Sequence, residues 1–111
     1  FTVELADTGE KQALGLMFRD HLADDHGMLF RFPGEAMRSF WMKNTRIPLD
    51  IFYFDSNLQL VSVAENAQPC RSQRCPPYPS AAPAQYVLEL RAGTAAELGV
   101  RPGDVLELHL D

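Results

Sequence analysis

A β-rich α+β domain of about seven short strands and two short helices is what this 111-residue chain predicts. Short alternating or β-branched segments recur at residues 1–6, 28–32, 39–43, 50–54, 58–63, 85–90 and 105–110. Helix signals occur at only two places, after Asp7 and after Gly93. Turn residues punctuate the rest, with no internal repeat and no linker. Short strands spaced by turns around so little helix suggest a small barrel or a sandwich, in a single domain spanning 1–111.

Residues 1–6 alternate and carry Thr2 and Val3, which favours a strand. Asp7 is placed to cap a helix, with Glu10 three residues on as the reciprocal partner. Ala13, Leu16 and Met17 would share one face of that helix. Gly15 inside it marks either close packing or an early end. The second strand, 28–32, is expected to stop at Pro33-Gly34, and the third runs from Ser39 to Lys43. Residues 44–48 form a connection, because the residue before a proline is pushed out of the helical region. Asp55-Ser56-Asn57 is turn-forming, so the fourth and fifth strands make a hairpin. Gly99 should stop a short helix that begins near Gly93. Arg101-Pro102-Gly103-Asp104 fits a type II turn leading into a seventh strand at 105–110.

Composition bounds the function. The chain is 46% hydrophobic and 23% charged, ordinary for a globular domain. The net charge is -5, and no run of Lys or Arg is long enough to track phosphates, so nucleic acid is not an expected partner. No apolar stretch approaches the roughly 20 residues a membrane-spanning helix needs. The first residue is Phe1 rather than methionine, and a removed leader peptide is expected.

Cys70 and Cys75 are the only cysteines. They lie in a loop from residue 66 to 84 that also holds Pro69, Pro76, Pro77, Pro79 and Pro83. Loops beyond roughly 12–15 residues are uncommon in small domains and are usually functional or tethered. A disulfide here would tether the loop and imply an oxidising compartment. Its small ring would contribute only about 2 kcal/mol. Two reduced thiols are the alternative. His21 and His26 share a similar spacing, but nothing in the sequence brings the two pairs together as a zinc site. Met17, Met28 and Met42 could offer thioethers to copper(I), although filling a core is the commoner use of methionine. No metal or cofactor is expected.

The segment from Ser39 to Asp50 stands apart. It holds the only tryptophan, Trp41, and sets Lys43, Asn44 and Asp50 near it. Alternation puts Phe40, Met42 and Asn44 on one face and Ser39, Trp41 and Lys43 on the other. In one reading Lys43 lies across Trp41 at the domain rim. In the other, Trp41 walls a pocket and Lys43, Asn44 and Asp50 orient a ligand. Lys43 and Asp50 could also form an ion pair across the turn. Glu89 shares a strand face with Val87; if that face points inward, Glu89 needs a cation such as Lys43 or Arg19.

Several motifs together resemble a known family. They are Gly15-Leu16-Met17-Phe18-Arg19, Gly27-Met28-Leu29-Phe30, Ser39 through Thr45 with Ile47-Pro48-Leu49-Asp50-Ile51, Tyr86 through Leu90, Gly93, and Gly103-Asp104. The chain resembles family 192 of the domains of unknown function over nearly its whole length. The resemblance implies a compact β-barrel-like domain in a prokaryotic, often exported protein. It implies no activity.

Two functional expectations follow. The first is a non-catalytic, exported ligand-binding or interaction domain of the bacterial cell envelope, periplasmic or secreted. Its site would comprise Trp41, Lys43, Asn44 and Asp50, with Arg19 and Glu89 as further candidates, and its ligand would be small and polar or saccharide-like. The second is a hydrolase or lyase on an envelope saccharide, using Asp50 and Glu89 as a carboxylate pair. A weaker third reading makes the proline loop the contact surface of an assembly factor. Serine-hydrolase elbows, zinc-protease motifs and phosphate-binding glycine loops are missing from the sequence.

Overall fold

The computed structural model of the chain describes residues 1–109. Its elements are β1 (Thr2–Ala6), α1 (Gly9–Leu14), β2 (His26–Ala36), β3 (Ser39–Phe40), β4 (Leu49–Phe54), β5 (Leu60–Ala67), β6 (Tyr78–Pro79), β7 (Ala84–Arg91) and α2 (Thr94–Leu98). Five strands form one open sheet in the order β1-β2-β7-β4-β5, and β3 pairs with β6 in a separate two-stranded ribbon. The strand-rich α+β class with two short helices is as expected. The sheets do not close into a barrel: β1 and β5 are the two edges of the large sheet.

β7 and β4 lie inside the sheet, and their sequences explain why. Leu49–Phe54 is buried at every position, and Val87–Leu90 is buried throughout. Runs apolar on both faces suit strands covered on both sides. One face carries Met28, Phe30, Ile51, Tyr53 and Val87 against Leu16, Leu22 and Met42. The other carries Leu29, Phe52, Phe54, Leu88 and Leu90 against Ala95 of α2, with Val100 and Leu106 packed beside them. Alternate side chains of each strand thus serve two separate cores.

Local chemistry sets the element ends, with some shifts from expectation. Thr8, not Asp7, caps α1: its hydroxyl accepts from the Lys11 N–H at 3.2 Å. Asp7 instead pairs with Arg31 at 3.2 Å. The helix ends at Gly15, which has φ 49° and stands against the Phe30 ring. It buries none of its own residues, and Ala13 is exposed. β2 continues past Pro33-Gly34. The register with β7 jumps from Arg31↔Tyr86 to Ala36↔Ala84, so the proline falls in an irregular stretch where no ladder donor is needed.

The expected hairpin is present, with Tyr53 opposite Ser62 and Phe54 opposite Leu60. Asp55 accepts from the N–H groups of Asn57 and Gln59, both at 2.9 Å, and Leu58 takes the left-handed conformation at φ 61°. Gly99 closes α2 at φ 65°, and Gly103 holds the turn after Pro102 at φ 95°. The third strand is shorter than expected, since pairing ends at Phe40 and Lys43 keeps one bridge, to Cys70. The seventh expected strand, 105–110, is reduced to one bridge between Val105 and Gln59. Its Leu110 lies outside the described residues. The seventh strand by count is instead β6, inside the proline loop.

Candidate functional site

A cavity of about 510 Å³ opens on the first face of the large sheet. Its walls come from three parts of the chain. Residues 12–17, the end of α1 and the turn after it, form one side. Ser39, Phe40, Trp41 and Thr45 form another, and Cys75 and Pro77 of the proline loop close it. The floor is sheet: Phe30 and Phe32 from β2, and Glu89 from β7. Phe40 stands edge-on to Phe30, with ring centroids 4.8 Å apart. Trp41 and Leu14 at the walls are half-exposed, at 50% and 53%.

Glu89 is the unusual member. Register sets it opposite Met28 on one side and Ile51 on the other. It is 4% exposed, and that remnant faces the cavity it lines. Among the described residues no side chain or N–H hydrogen-bonds to its carboxyl. Burial alone pushes the carboxyl up to about 8, since an apolar surrounding penalises the charged form. Tyr53, diagonal to it on β4, is raised well above the ordinary phenol value by burial first and by Glu89 second. The Tyr53 hydroxyl donates to the Tyr78 carbonyl and so is committed elsewhere.

The sequence candidates separate into different roles. Trp41 lines the cavity, and Lys43 Nζ lies 5.3 Å from its ring centroid. Lys43 itself does not line the cavity. Asn44 is a turn residue at φ 58°, donating to the Cys70 carbonyl at 3.0 Å and accepting from Phe18 at 2.8 Å. It borders a second hollow, with Asp20, Arg46 and Arg71. Arg19 is drawn away to Glu4, in a two-pronged pair with one contact of 2.9 Å. That guanidinium holds the Glu4 carboxyl below its usual value.

Asp50 is fully buried on the opposite face. Its carboxylate accepts from the N–H groups of Asn66 at 2.8 Å, Gly93 at 3.2 Å and Ala95 at 2.9 Å. Gly93 has no side chain with which to cap α2, so Asp50 caps that helix from the neighbouring strand. The expected Lys43–Asp50 pair is absent among the described residues, because three backbone donors already satisfy Asp50. Glu89 gains no cation from Lys43 or Arg19, because those side chains are engaged by Trp41 and Glu4. Asp50 and Glu89 do not form a carboxylate pair either, since Asp50 faces Leu90 across the strands and Glu89 faces Ile51.

Sequence reasoning missed the walls from residues 12–17 and from Cys75 and Pro77. A hint existed in Gly15, whose positive φ turns the chain toward Phe30. Cys70 and Cys75 form the disulfide considered from sequence. Of the three methionines, Met28 and Met42 are core residues, and Met17 lines the cavity.

A family model described as DUF192, uncharacterized ACR, matches residues 1–108. A crystal structure of a protein of unknown function from Novosphingobium aromaticivorans is similar at 44% identity and a TM-score of 0.88, covering 96% of this chain and 74% of that one. A second, from Sinorhizobium meliloti and described provisionally as a transcription regulator, is 46% identical with a TM-score of 0.87, covering 95% of this chain and 79% of that one. No curated protein matches the chain significantly.

Proposed function

Since the chain belongs to the DUF192 family, itself uncharacterized, we propose that it is a non-catalytic ligand-binding domain of the bacterial cell envelope. The ligand is small, polar or saccharide-like, and it occupies the cavity beside Ser39, Phe40 and Trp41. One observation carries this reading: a half-exposed indole and a buried, unpaired carboxyl face the same cavity of about 510 Å³. Apolar walls with few convergent polar groups are the usual make-up of a small-molecule site. Trp41 offers area, while Ser39, Thr45, Gln12 and Glu89 offer polar contacts.

Several features support the envelope and the absence of catalysis. The Cys70–Cys75 disulfide suits an oxidising compartment, and no helix among the described residues is long and apolar enough to cross a membrane. A carboxylate pair on one face would favour hydrolysis of a glycan, but Asp50 is spent as a helix cap. The net charge of -5 gives no electrostatic footprint for DNA, whatever the description of the Sinorhizobium neighbour. Proline-loop residues Cys75 and Pro77 belong to the cavity wall, which favours a pocket over a separate docking loop.

Trp41 is the only tryptophan, so its fluorescence reports on the cavity directly. Titration with a panel of envelope mono- and disaccharides is expected to give a saturable emission change with at least one member. Calorimetry on Trp41→Ala should show that member's affinity falling about tenfold or more, for loss of a stacking wall. A flat emission and an unchanged melting temperature across the whole panel would sink the proposal.

A further inference from the structure

We infer that the cavity takes a small organic cation, an ammonium or guanidinium group seated on the Glu89 carboxyl with its apolar body between Trp41 and Phe40. This rests on the ligand-binding reading above and names the ligand's class. Among the described residues Glu89 is the one ionisable side chain lining the cavity. It is 4% exposed, yet among the described residues no donor reaches its carboxyl. Buried polar groups are almost always hydrogen-bonded, and one that opens on a cavity can take its partner from whatever fills that cavity.

Among the described residues the groups around Glu89 do not supply that partner. From β2 it meets Met28 and, diagonally, Phe30; from β4 it meets Ile51 and, diagonally, Tyr53. Tyr53 is the titratable member of this set, and its hydroxyl donates its hydrogen bond to the Tyr78 carbonyl. Two cations lie close to the aromatic walls, and both are engaged. Lys43 rests over Trp41. Arg38 rests over Phe32 at 3.9 Å and donates to the carbonyls of Gly34 and Ala84. Neither lines the cavity. Aromatic faces beside a carboxyl suit a cation that carries apolar surface. The net charge of -5 favours its approach.

Seating the ammonium has a proton balance. In the empty cavity burial holds the Glu89 carboxyl protonated at neutral pH, with its titration moved up to about 8. The arriving ammonium keeps its own protons, and the carboxyl gives its proton to solvent, leaving a carboxylate–ammonium pair. A unit or more below a pH of about 8, binding therefore releases close to one proton, and affinity rises with pH by up to about tenfold per unit. Above that point the carboxylate is already free and the dependence flattens.

Benzylamine and benzyl alcohol, near-isosteric and differing in charge, make the test by titration calorimetry. Benzylamine should bind at least about tenfold tighter than benzyl alcohol, and tighter at about pH 8 than at about pH 6.5. In buffers of different ionisation heat at about pH 6.5 its apparent enthalpy should change in proportion, reporting the released proton from the unaltered protein. Glu89→Gln should erase the preference for the amine. Equal binding of the two probes, or an amine affinity with no pH dependence, overturns the cation inference and leaves the ligand-binding reading standing. If neither probe binds while a neutral saccharide moves the Trp41 emission, the inference fails alone. If nothing binds in either experiment, both fail.

Discussion

Asp50 and Glu89 sit one register step apart on neighbouring strands and face opposite sides of the same sheet. Asp50 lies across from Leu90, and Ile51 lies across from Glu89. The two acids meet contrasting fates. Asp50 is surrounded by three N–H donors and serves the fold. Glu89 has none among the described residues and faces a cavity. The same residue class thus splits into a structural clamp and a candidate ligand contact, and the strand period of two decides which is which.

Asp50→Ala should be strongly destabilising. It would leave the N–H groups of Asn66, Gly93 and Ala95 without their acceptor. Each unsatisfied buried donor costs on the order of 1–3 kcal/mol, so a total of about 3–5 kcal/mol is expected. Asp50→Asn keeps one oxygen and should cost about half of that. Urea unfolding measures both. A loss under about 1 kcal/mol for the alanine variant would show that the clamp contributes little.

Glu89 should make the protein less stable as pH rises. Its folded value, about 8, lies above the ordinary 4.5. Below about pH 4.5 both states carry the proton, and the group contributes no pH dependence. Between the two values the unfolded chain loses its proton first, so stability falls, by on the order of 1 kcal/mol per pH unit at most. Above about 8 the curve levels. Glu89→Gln, neutral throughout, should flatten this limb and be the more stable protein at about pH 9. Melting temperatures from about pH 4 to pH 9 check the sign; a wild-type profile that rises with pH in this window contradicts it.

What was legible in sequence was what local chemistry decides. The β4–β5 hairpin followed from Asp55 and its neighbours, the end of α2 from Gly99, and the last turn from Pro102-Gly103. Alternation placed Glu89 on the face of Val87, but that this face points inward is decided by the packing of the sheet. The role of Asp50 was not legible, because its donors arrive from 16, 43 and 45 residues away. A charged residue near Trp41 in sequence invited pairing with Lys43, whereas distant backbone had already claimed it. The cavity was half legible: Trp41 announced one wall, and residues 12–17 and Cys75-Pro77 gave no periodic signal that they would complete it. Pro33 misled for a related reason, since a proline ends a strand only where a ladder bond is required.

Arg19 should prove dispensable for the cavity. Its guanidinium is paired with Glu4 at the rim of β1, with both side chains well exposed. Exposed pairs contribute at most about 1 kcal/mol. Arg19→Ala should therefore change stability by less than that and leave any ligand affinity within about twofold of wild type. A tenfold loss of binding would mean that Arg19 reaches the ligand and that the pair with Glu4 opens.

Removing the disulfide should harm binding as well as stability. The ring closed by Cys70 and Cys75 is small, so its loss costs only about 2 kcal/mol by chain entropy. Its position matters as well. Cys70 is bridged to Lys43, with N–H bonds running from Asn44 to the Cys70 carbonyl at 3.0 Å and from Cys70 to the Met42 carbonyl at 3.2 Å. Cys75 and Pro77 then form cavity wall beside the segment that carries Trp41. The bond therefore fixes the proline loop at both the segment after β3 and the cavity. A Cys70→Ser, Cys75→Ser double variant should unfold at a urea midpoint lowered in proportion to that small cost, with an unchanged slope. Its affinity for any probe that moves Trp41 emission should fall by about tenfold or more, since a loosened wall must be ordered again on binding. Unchanged affinity in a folded double variant would show that the loop holds its place without the bond, through the β3–β6 ribbon alone.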